Sequence, residues 1–321
     1  MKLLITGGGG YIGSHMVRLA QSQNHECIVL DNFSTGHRWA IEDCEILDID
    51  LLDEIALSNS LKGKFFDGVI HFAAKSIVGE SIQKPYYYYR NNLIGTLNLV
   101  DQMLKNEINN LVFSSSAAIF GNPESNLINE NHPKKPINPY GKSKLMVEQV
   151  LDDISKSNDI NVTCLRYFNA AGAYKSGEIG EAHNPETHLI PNILSSLNNK
   201  NIIFSIFGKN YPTKDGTCVR DYIHVNDIAH AHLLALEKME EKKGFNFFNL
   251  GSEKGYSVLE IIKSCEEVTG KKINYRFEAG RNGDPAILIA DNTKAISELG
   301  WKIKYKSINE IIETAWLWHK K

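Results

Sequence analysis

Lys2-Leu3-Leu4-Ile5-Thr6-Gly7-Gly8-Gly9-Gly10-Tyr11-Ile12-Gly13-Ser14-His15 stands at the start of the chain, and its reading decides the fold. An apolar run enters a glycine cluster, and Ile12, Met16 and Leu19 then recur at helical spacing to about Ser22. The segment predicts strand, tight turn and helix. Glycine is needed in such a turn because the backbone must approach a pyrophosphate and the helix must pack on the strand. Gly7, Gly10 and Gly13 are the candidates, and the helix N-terminus faces the phosphates. A second apolar run, Cys27 to Leu30, ends in Asp31. An acid at that place accepts hydrogen bonds from the adenine ribose and repels the 2′-phosphate of NADP. The expected cofactor is therefore NAD.

Outward from this unit, short apolar runs alternate with helical patterns. Val69 to Ala74, Leu111 to Phe113 and Asn161 to Tyr167 read as buried strands; Tyr86 to Lys105 and the stretch from Pro139 read as helices. This alternation predicts an α/β, Rossmann-type doubly wound parallel sheet. The first helix is expected to bury Leu93, Leu97, Val100 and Leu104, and His71 reads as a packed strand histidine. The run Tyr86-Tyr87-Tyr88-Tyr89 reads as packing or interface. Beyond about residue 180 glycine, asparagine and proline become frequent and the alternation weakens. Residues 1–180 are expected to form the cofactor domain. Residues 181–321 are expected to form a smaller mixed α/β substrate-binding domain, with some later segments returning to the first.

Composition narrows the function. The 321 residues carry a net charge of -3 with no basic tract, so neither nucleic acid nor an anionic membrane is an expected partner. The five cysteines are scattered, without Cys-x-x-Cys spacing, and predict neither a disulfide framework nor a metal site. No apolar run approaches the ~20 residues of a membrane span, and Lys2 to Ile5 runs straight into glycines with no signal-like segment before it. A cytoplasmic protein acting on a small molecule is expected.

Pro139-Tyr140-Gly141-Lys142-Ser143-Lys144 is the candidate for chemistry. Tyr140 and Lys144 stand four residues apart, on one helix face. A free tyrosine titrates near ~10, and a neighbouring ammonium favours its phenolate, so the pair reads as a general base and its tuner. Ser114-Ser115-Ser116 ends a strand as at a ligand crevice. Arg220 and Arg281, in loop-like stretches, are either solvated surface or clamps for a diphosphate.

These segments, with Asp31-Asn32, His71-Phe72-Ala73-Ala74, Arg166-Tyr167-Phe168-Asn169 and Val219-Arg220-Asp221-Tyr222-Ile223-His224, resemble in order the UDP-glucose 4-epimerase family of extended short-chain dehydrogenases. The resemblance covers nearly the whole chain. It implies inversion at C4 of a UDP-hexose through a transient 4-keto sugar, with resident NAD and a homodimer built on the two helices containing Tyr86 and Tyr140. It implies Tyr140 as base, Ser116 as its hydrogen-bonding helper, and Lys144 on the nicotinamide ribose. Tyr11 and Ile12 are implied at the pyrophosphate; Asp31, Asn32, Phe33, Ser34, Thr35 and Gly36 at the adenosine end; and Asp50 and Leu51 at the adenine. Phe72, Ala73, Ala74, Lys75, Ser76, Asn91 and Phe168 are implied along the cofactor. Asn169, His188, Leu189, Phe207, Arg220, Arg281 and Asp284 are implied on the nucleotide sugar.

The chain departs from the family pattern in places. Phe120 replaces a tyrosine four residues after the serine, Lys75 is displaced by one place beside Ser76, and His188 replaces an asparagine. In the family, Leu288 stands where a tyrosine goes with excluding N-acetylated sugars and a cysteine or serine with admitting them, so UDP-glucose and UDP-galactose are the expected pair; the other reading of Leu288, in the apolar run Ala286 to Ala290, is a strand residue packed into the core. The alternatives are a related epimerase of UDP-N-acetylhexosamines or uronates, a dehydratase, and a non-catalytic NAD sensor. Ala117-Ala118 after Ser116 supplies no acid for a dehydratase, and a sensor needs no Ser116, Tyr140 and Lys144 together.

Overall fold

The computed structural model describes residues 1–198, 203–280 and 284–321. Its strands are β1 (Lys2–Thr6), β2 (Glu26–Leu30), β3 (Glu45–Leu47), β4 (Gly68–His71), β5 (Asn110–Ser114), β6 (Leu127–Ile128), β7 (Asn161–Tyr167), β8 (Asn169–Ala171), β9 (Phe204–Phe207), β10 (Val219–His224), β11 (Phe245–Leu250), β12 (Gly255–Ser257), β13 (Tyr275–Glu278) and β14 (Ile287–Ala290). Seven of them form one sheet in the order β11-β7-β5-β4-β1-β2-β3, every pairing parallel.

Both faces of this sheet are covered, which is why its strands read as continuous apolar runs. Successive residues point to opposite faces. Leu3, Ile5, Val29, Ile70 and Val112 join the core under the helices Tyr11–Ser22 and Val225–Glu237. Leu4, Ile28, Val69, Leu111 and Phe113 join the core under Glu54–Leu61, Gly95–Lys105 and Pro139–Ser157. The expected doubly wound architecture is the one observed.

The helix expected from Tyr86 runs as Pro85–Tyr89, a π turn at Arg90–Ile94, and Gly95–Lys105. Its buried face differs from expectation. Asn92, Thr96, Leu99, Val100 and Met103 are buried, whereas Leu93 and Leu97 are half-buried and Leu104 is exposed. The extra residue of the π turn rotates the stretch before it relative to the stretch after it, so no single 3.6-residue stripe runs its length.

The smaller lobe holds a mixed sheet, β12-β10-β14-β6 with β8 on β10, and a two-stranded pair, β13-β9. The helices Leu189–Ser196, Val258–Thr269 and Ile308–His319 enclose a third core containing Ile193, Ile261, Cys265 and Ile312. The lobes interleave in sequence: β11 lies in the large sheet, and β6 and β8 in the small one. Among the described residues no helix is long and apolar enough to cross a membrane.

Candidate active site

From β1 the chain builds β2 and β3 on one side, then crosses to β4 and adds β5 and β7 on the other. The order therefore reverses between β1 and β4. Because all strands are parallel, the loops after them leave the same edge, and at a reversal they diverge and open a crevice. The crevice is lined by Gly7, Gly10, Leu30, Asp31, Asn32, Ser34, Thr35, Gly36, Ile49, Asp50, Leu51, Phe72, Ala73, Ala74, Lys75 and Asn91. All but Leu30 and Ile49 are residues singled out in the sequence. Those two are neighbours of Asp31 and Asp50, and an apolar residue in a strand carries no signal that it also faces a ligand.

The glycines act as expected. A Cβ on Gly7 would lie 2.6 Å from the Ala73 nitrogen, and one on Gly13 would lie 2.1 Å from the Gly7 oxygen; Gly7 also sits at φ +71°. The Tyr11–Ser22 helix opens at Gly10 with no side-chain cap, whereas Asp53, Asn138, Ser257 and Ser307 cap other helices. The first N–H groups of a helix have no partner within it, and here no side chain covers them. Tyr11's hydroxyl is engaged elsewhere, on the Gly172 oxygen at 2.6 Å. Ile12 and Phe33 lie half-buried against the core, and Ser76 is exposed outside the crevice lining.

Asp31 is buried at the end of β2, accepting from the Gly9 N–H at 2.9 Å and the Phe33 N–H at 2.8 Å. Burial raises its carboxyl, and the two N–H groups and Lys75 pull it back. Asn32 donates to Asp50 at 2.8 Å, and the Lys75 ammonium bridges the crevice to Ser34 at 2.8 Å. Lys75's backbone is pinned by Asn92, which accepts from its N–H and donates to its carbonyl and to Ser143. The sequence assigns no role to Asn92 or Ser143; Asn92 sits on the π turn, a feature frequent at functional sites.

Beyond the end of β5, Ser116 lies beside the Tyr140 hydroxyl, and both are buried. Burial raises the phenol and the Ser116 hydroxyl lowers it. One turn along the helix, Lys144 is 3% exposed and donates to the Ser114 carbonyl at 2.7 Å, with its ammonium 4.7 Å from the Phe113 ring. Burial lowers its ammonium to about 7. The start of this helix is fixed by Pro139 in the first turn and by Asn138, which accepts from the Gly141 N–H at 2.8 Å.

Beneath the serines lies a buried ion pair. Arg166 forks onto Glu148 at 2.9 and 2.7 Å, and Ser115 donates to the same carboxylate at 2.6 Å. This ties β7 and the serine loop to the Pro139–Ser157 helix. His71 bridges Thr6 and Thr96 at 2.6 and 2.8 Å, with burial lowering its ring to about 3, so it is the packed histidine expected.

Arg220, read from the sequence as loop-like, lies on β10, where it pairs with Asp284 and donates to the Val219 carbonyl at 2.7 Å. Leu288 on β14 is in register with Arg220 and packs on the cluster of Ala117, Ile119, Phe120 and Phe168. Phe120 and Phe168 are thus packed together beside the serine loop. Asn169 opens β8 and pairs with Tyr222, Phe207 ends β9, and His188 precedes Leu189 at the start of the Leu189–Ser196 helix. His188 is bonded to Glu181, whose carboxyl is lowered to about 2 by His188 and His183 against the opposing effect of burial. Arg281 lies outside the described residues.

Comparison with known proteins agrees with this geometry. The model of the "NAD dependent epimerase/dehydratase family" matches residues 3–251. The chain is 48% identical over 321 residues to "UDP-glucose 4-epimerase" of Lactobacillus helveticus, covering 100% of this chain and 97% of the relative. Among solved structures, "UDP-glucose 4-epimerase from Brucella ovis in complex with NAD" superposes with a TM-score of 0.95 at 42% identity, over 98% of this chain and 97% of that one. "UDP-glucose 4-epimerase from Bifidobacterium longum in complex with NAD+ and UDP" gives 0.94 at 36% identity, over 100% and 98%. With its crevice at the strand reversal, its serine–tyrosine–lysine group and these full-length likenesses, the chain belongs to the NAD dependent epimerase/dehydratase family, in the group of the UDP-glucose 4-epimerases.

Proposed function

We propose that the chain interconverts UDP-glucose and UDP-galactose by inversion at C4 through a transient 4-keto sugar, with NAD as its cofactor. The observation that supports the reading is the meeting of Ser116, Tyr140 and Lys144 past the end of β5, outside the crevice lining itself. The crevice fits NAD. Uncapped helix N–H groups suit its diphosphate, Asp31 suits an unphosphorylated ribose, and the Gly7–Gly13 turn leaves room that a side chain would fill. When bound, NAD accepts a hydride from C4 and returns it.

The chain's own residues handle the proton and the geometry. Tyr140, as phenolate, takes the proton of the sugar 4-hydroxyl and later gives it back, and Ser116 holds the same oxygens in line. Lys144, protonated, grips the nicotinamide ribose and favours the phenolate one turn away. Tyr11 and Ile12 serve the pyrophosphate through their backbone; Asn32 to Gly36, Asp50 and Leu51 serve the adenosine; and Phe72 to Ser76, Asn91 and Phe168 serve the rest of the cofactor. Arg220, steadied by Asp284, holds the substrate diphosphate with Arg281 and His188. Asn169, Leu189 and Phe207 hold the nucleotide, while the keto sugar turns over within walls that include Leu288. Residues 181–321, apart from segments returned to the large sheet, form the nucleotide-sugar lobe. The protein works in the cytoplasm as a homodimer.

The reading is tested by incubating the wild-type chain and Tyr140→Phe with UDP-galactose and resolving the products by chromatography. UDP-glucose is expected from the wild type, with turnover lower by at least ~10²-fold in the variant and NAD binding retained. Near wild-type turnover by Tyr140→Phe rejects the assigned base.

A further inference from the structure

The loop leading into the Leu189–Ser196 helix carries Glu181, His183, Glu186 and His188, a Glu-x-His-x-x-Glu-x-His run. One ligand-type atom from each lies within 4.8 Å of the others. Their contacts close a ring. Glu181 Oε1 is 3.0 Å from His183 Nδ1 and 2.6 Å from His188 Nδ1; Glu186 is 3.8 Å from His183 Nδ1 and 3.2 Å from His188 Nδ1. Both imidazoles turn the same nitrogen to both carboxylates. Each Nδ1 carries at most one proton, so the two rings share two protons among four carboxylate contacts. Nitrogen and oxygen ligands of a tetrahedral zinc, each about 2.0–2.2 Å from the metal, lie roughly 3.3–3.6 Å from one another. The 3.2 and 3.8 Å contacts stand close to that spacing, and the 2.6 and 3.0 Å contacts would open by a few tenths of an ångström or more to admit an ion.

The surroundings resemble those of a ligand set. Glu181 is 5% exposed, and its ion-pair partners among the described residues are the two histidines. Glu186 Oε1 is oriented by the N–H groups of Thr187 and His188, at 2.7 and 2.8 Å, as outer partners orient a metal-binding carboxylate. The Glu181 carbonyl accepts from the Trp318 indole at 2.9 Å, and the Ala182 carbonyl bonds the His37 ring at 2.8 Å. The loop is thus anchored to the closing helix and to the loop after β2.

We propose that Glu181, His183, Glu186 and His188 form a structural site for a divalent first-row transition metal of the zinc class. Two imidazole nitrogens and two carboxylate oxygens suit zinc, and no thiolate is present to select a softer ion. With four protein ligands the site is closed, so its role is to fix the loop rather than to activate water. The sequence hid it because the ligands sit on an irregular loop, spaced two, three and two residues apart, and include no cysteine. The inference shares His188 with the epimerase reading, and its test reads metal binding rather than turnover, so either can fail without the other.

The test uses the full-length chain, stripped with a chelator and titrated with Zn²⁺ alone by calorimetry, with Co²⁺ absorption reporting the coordination. One Zn²⁺ per chain and the intense visible bands of four-coordinate Co²⁺ are expected. His183→Ala and Glu186→Gln are each expected to weaken Zn²⁺ binding by at least ~100-fold, the upper end of the effect of losing even an outer partner. His230→Ala, on the Val225–Glu237 helix, controls for general histidine binding, and circular dichroism separates ligand loss from unfolding. Absence of stoichiometric Zn²⁺ binding by the wild type, or binding undiminished in both variants, overturns the site.

Discussion

Lys144 is the residue whose environment is most demanding. Its ammonium is buried against one carbonyl and one aromatic face, and its ordinary value of 10.5 falls to about 7. The folded value lies below the unfolded one, so between about 7 and 10.5 the unfolded chain binds more protons at this group. Its contribution therefore favours the folded state increasingly as pH rises through that window, and is lost as pH falls through 7. In urea denaturation of the cofactor-free protein, wild type is expected to gain stability relative to Lys144→Met between pH 7 and 10; parallel pH profiles contradict this burial. Leu288 raises the question of breadth. Leu288 packs beside Phe168 and the Ala117–Ile119 turn; on the proposed reading its branched side chain also walls the sugar pocket, where added volume costs about 1–3 kcal/mol. That corresponds to roughly ten- to hundredfold in rate. Leu288→Ser is expected to raise turnover of UDP-N-acetylgalactosamine while sparing UDP-galactose, and equal efficiency of the wild type on both substrates rules Leu288 out as a gate.

At the scale of elements, the helix pair around Asn92 does two jobs. Its inner face closes the crevice through Asn91, Asn92 and Ser143, while Tyr86, Tyr87 and Ile94 remain exposed, with Val78 and Ile82 on the preceding helix. Such an apolar face is a candidate for pairing with its copy around a two-fold axis. Light scattering at micromolar concentration is expected to give twice the 36.1 kDa chain mass, and Ile94→Glu to lower it; a monomer mass for the wild type contradicts the dimer. The strands and the crevice were legible in the sequence because their signals are local: a glycine turn after β1, an acid after β2, small residues after β4. The Glu148–Arg166 pair was not, because its partners lie on a helix and a strand with no motif between them and meet only through tertiary packing. The π turn was hidden for another reason. Its mark is a one-residue slip in a helical stripe, which a periodicity reading averages away; Leu93 still packs on the core, whereas Leu97 and Leu104, past the turn, sit at the rim of the face that buries Leu99, Val100 and Met103.

At the scale of the molecule, the two lobes have separate tasks joined at one edge. The large sheet carries the crevice, and the small sheet holds Arg220 and Leu288 in register on β10 and β14. Interleaving of the chain between the sheets makes that alignment part of the fold itself, since β6, β8 and β11 each cross from one lobe to the other. A reaction that returns what it removes needs such an arrangement, because the sugar must turn over while its nucleotide stays gripped. The most direct measurement is isotopic. UDP-galactose carrying deuterium at C4 of the sugar is converted in ordinary water without added cofactor, and the UDP-glucose formed is analysed by mass spectrometry and NMR. The account predicts deuterium retained at C4 of the product through every turnover; loss of the label to solvent contradicts it.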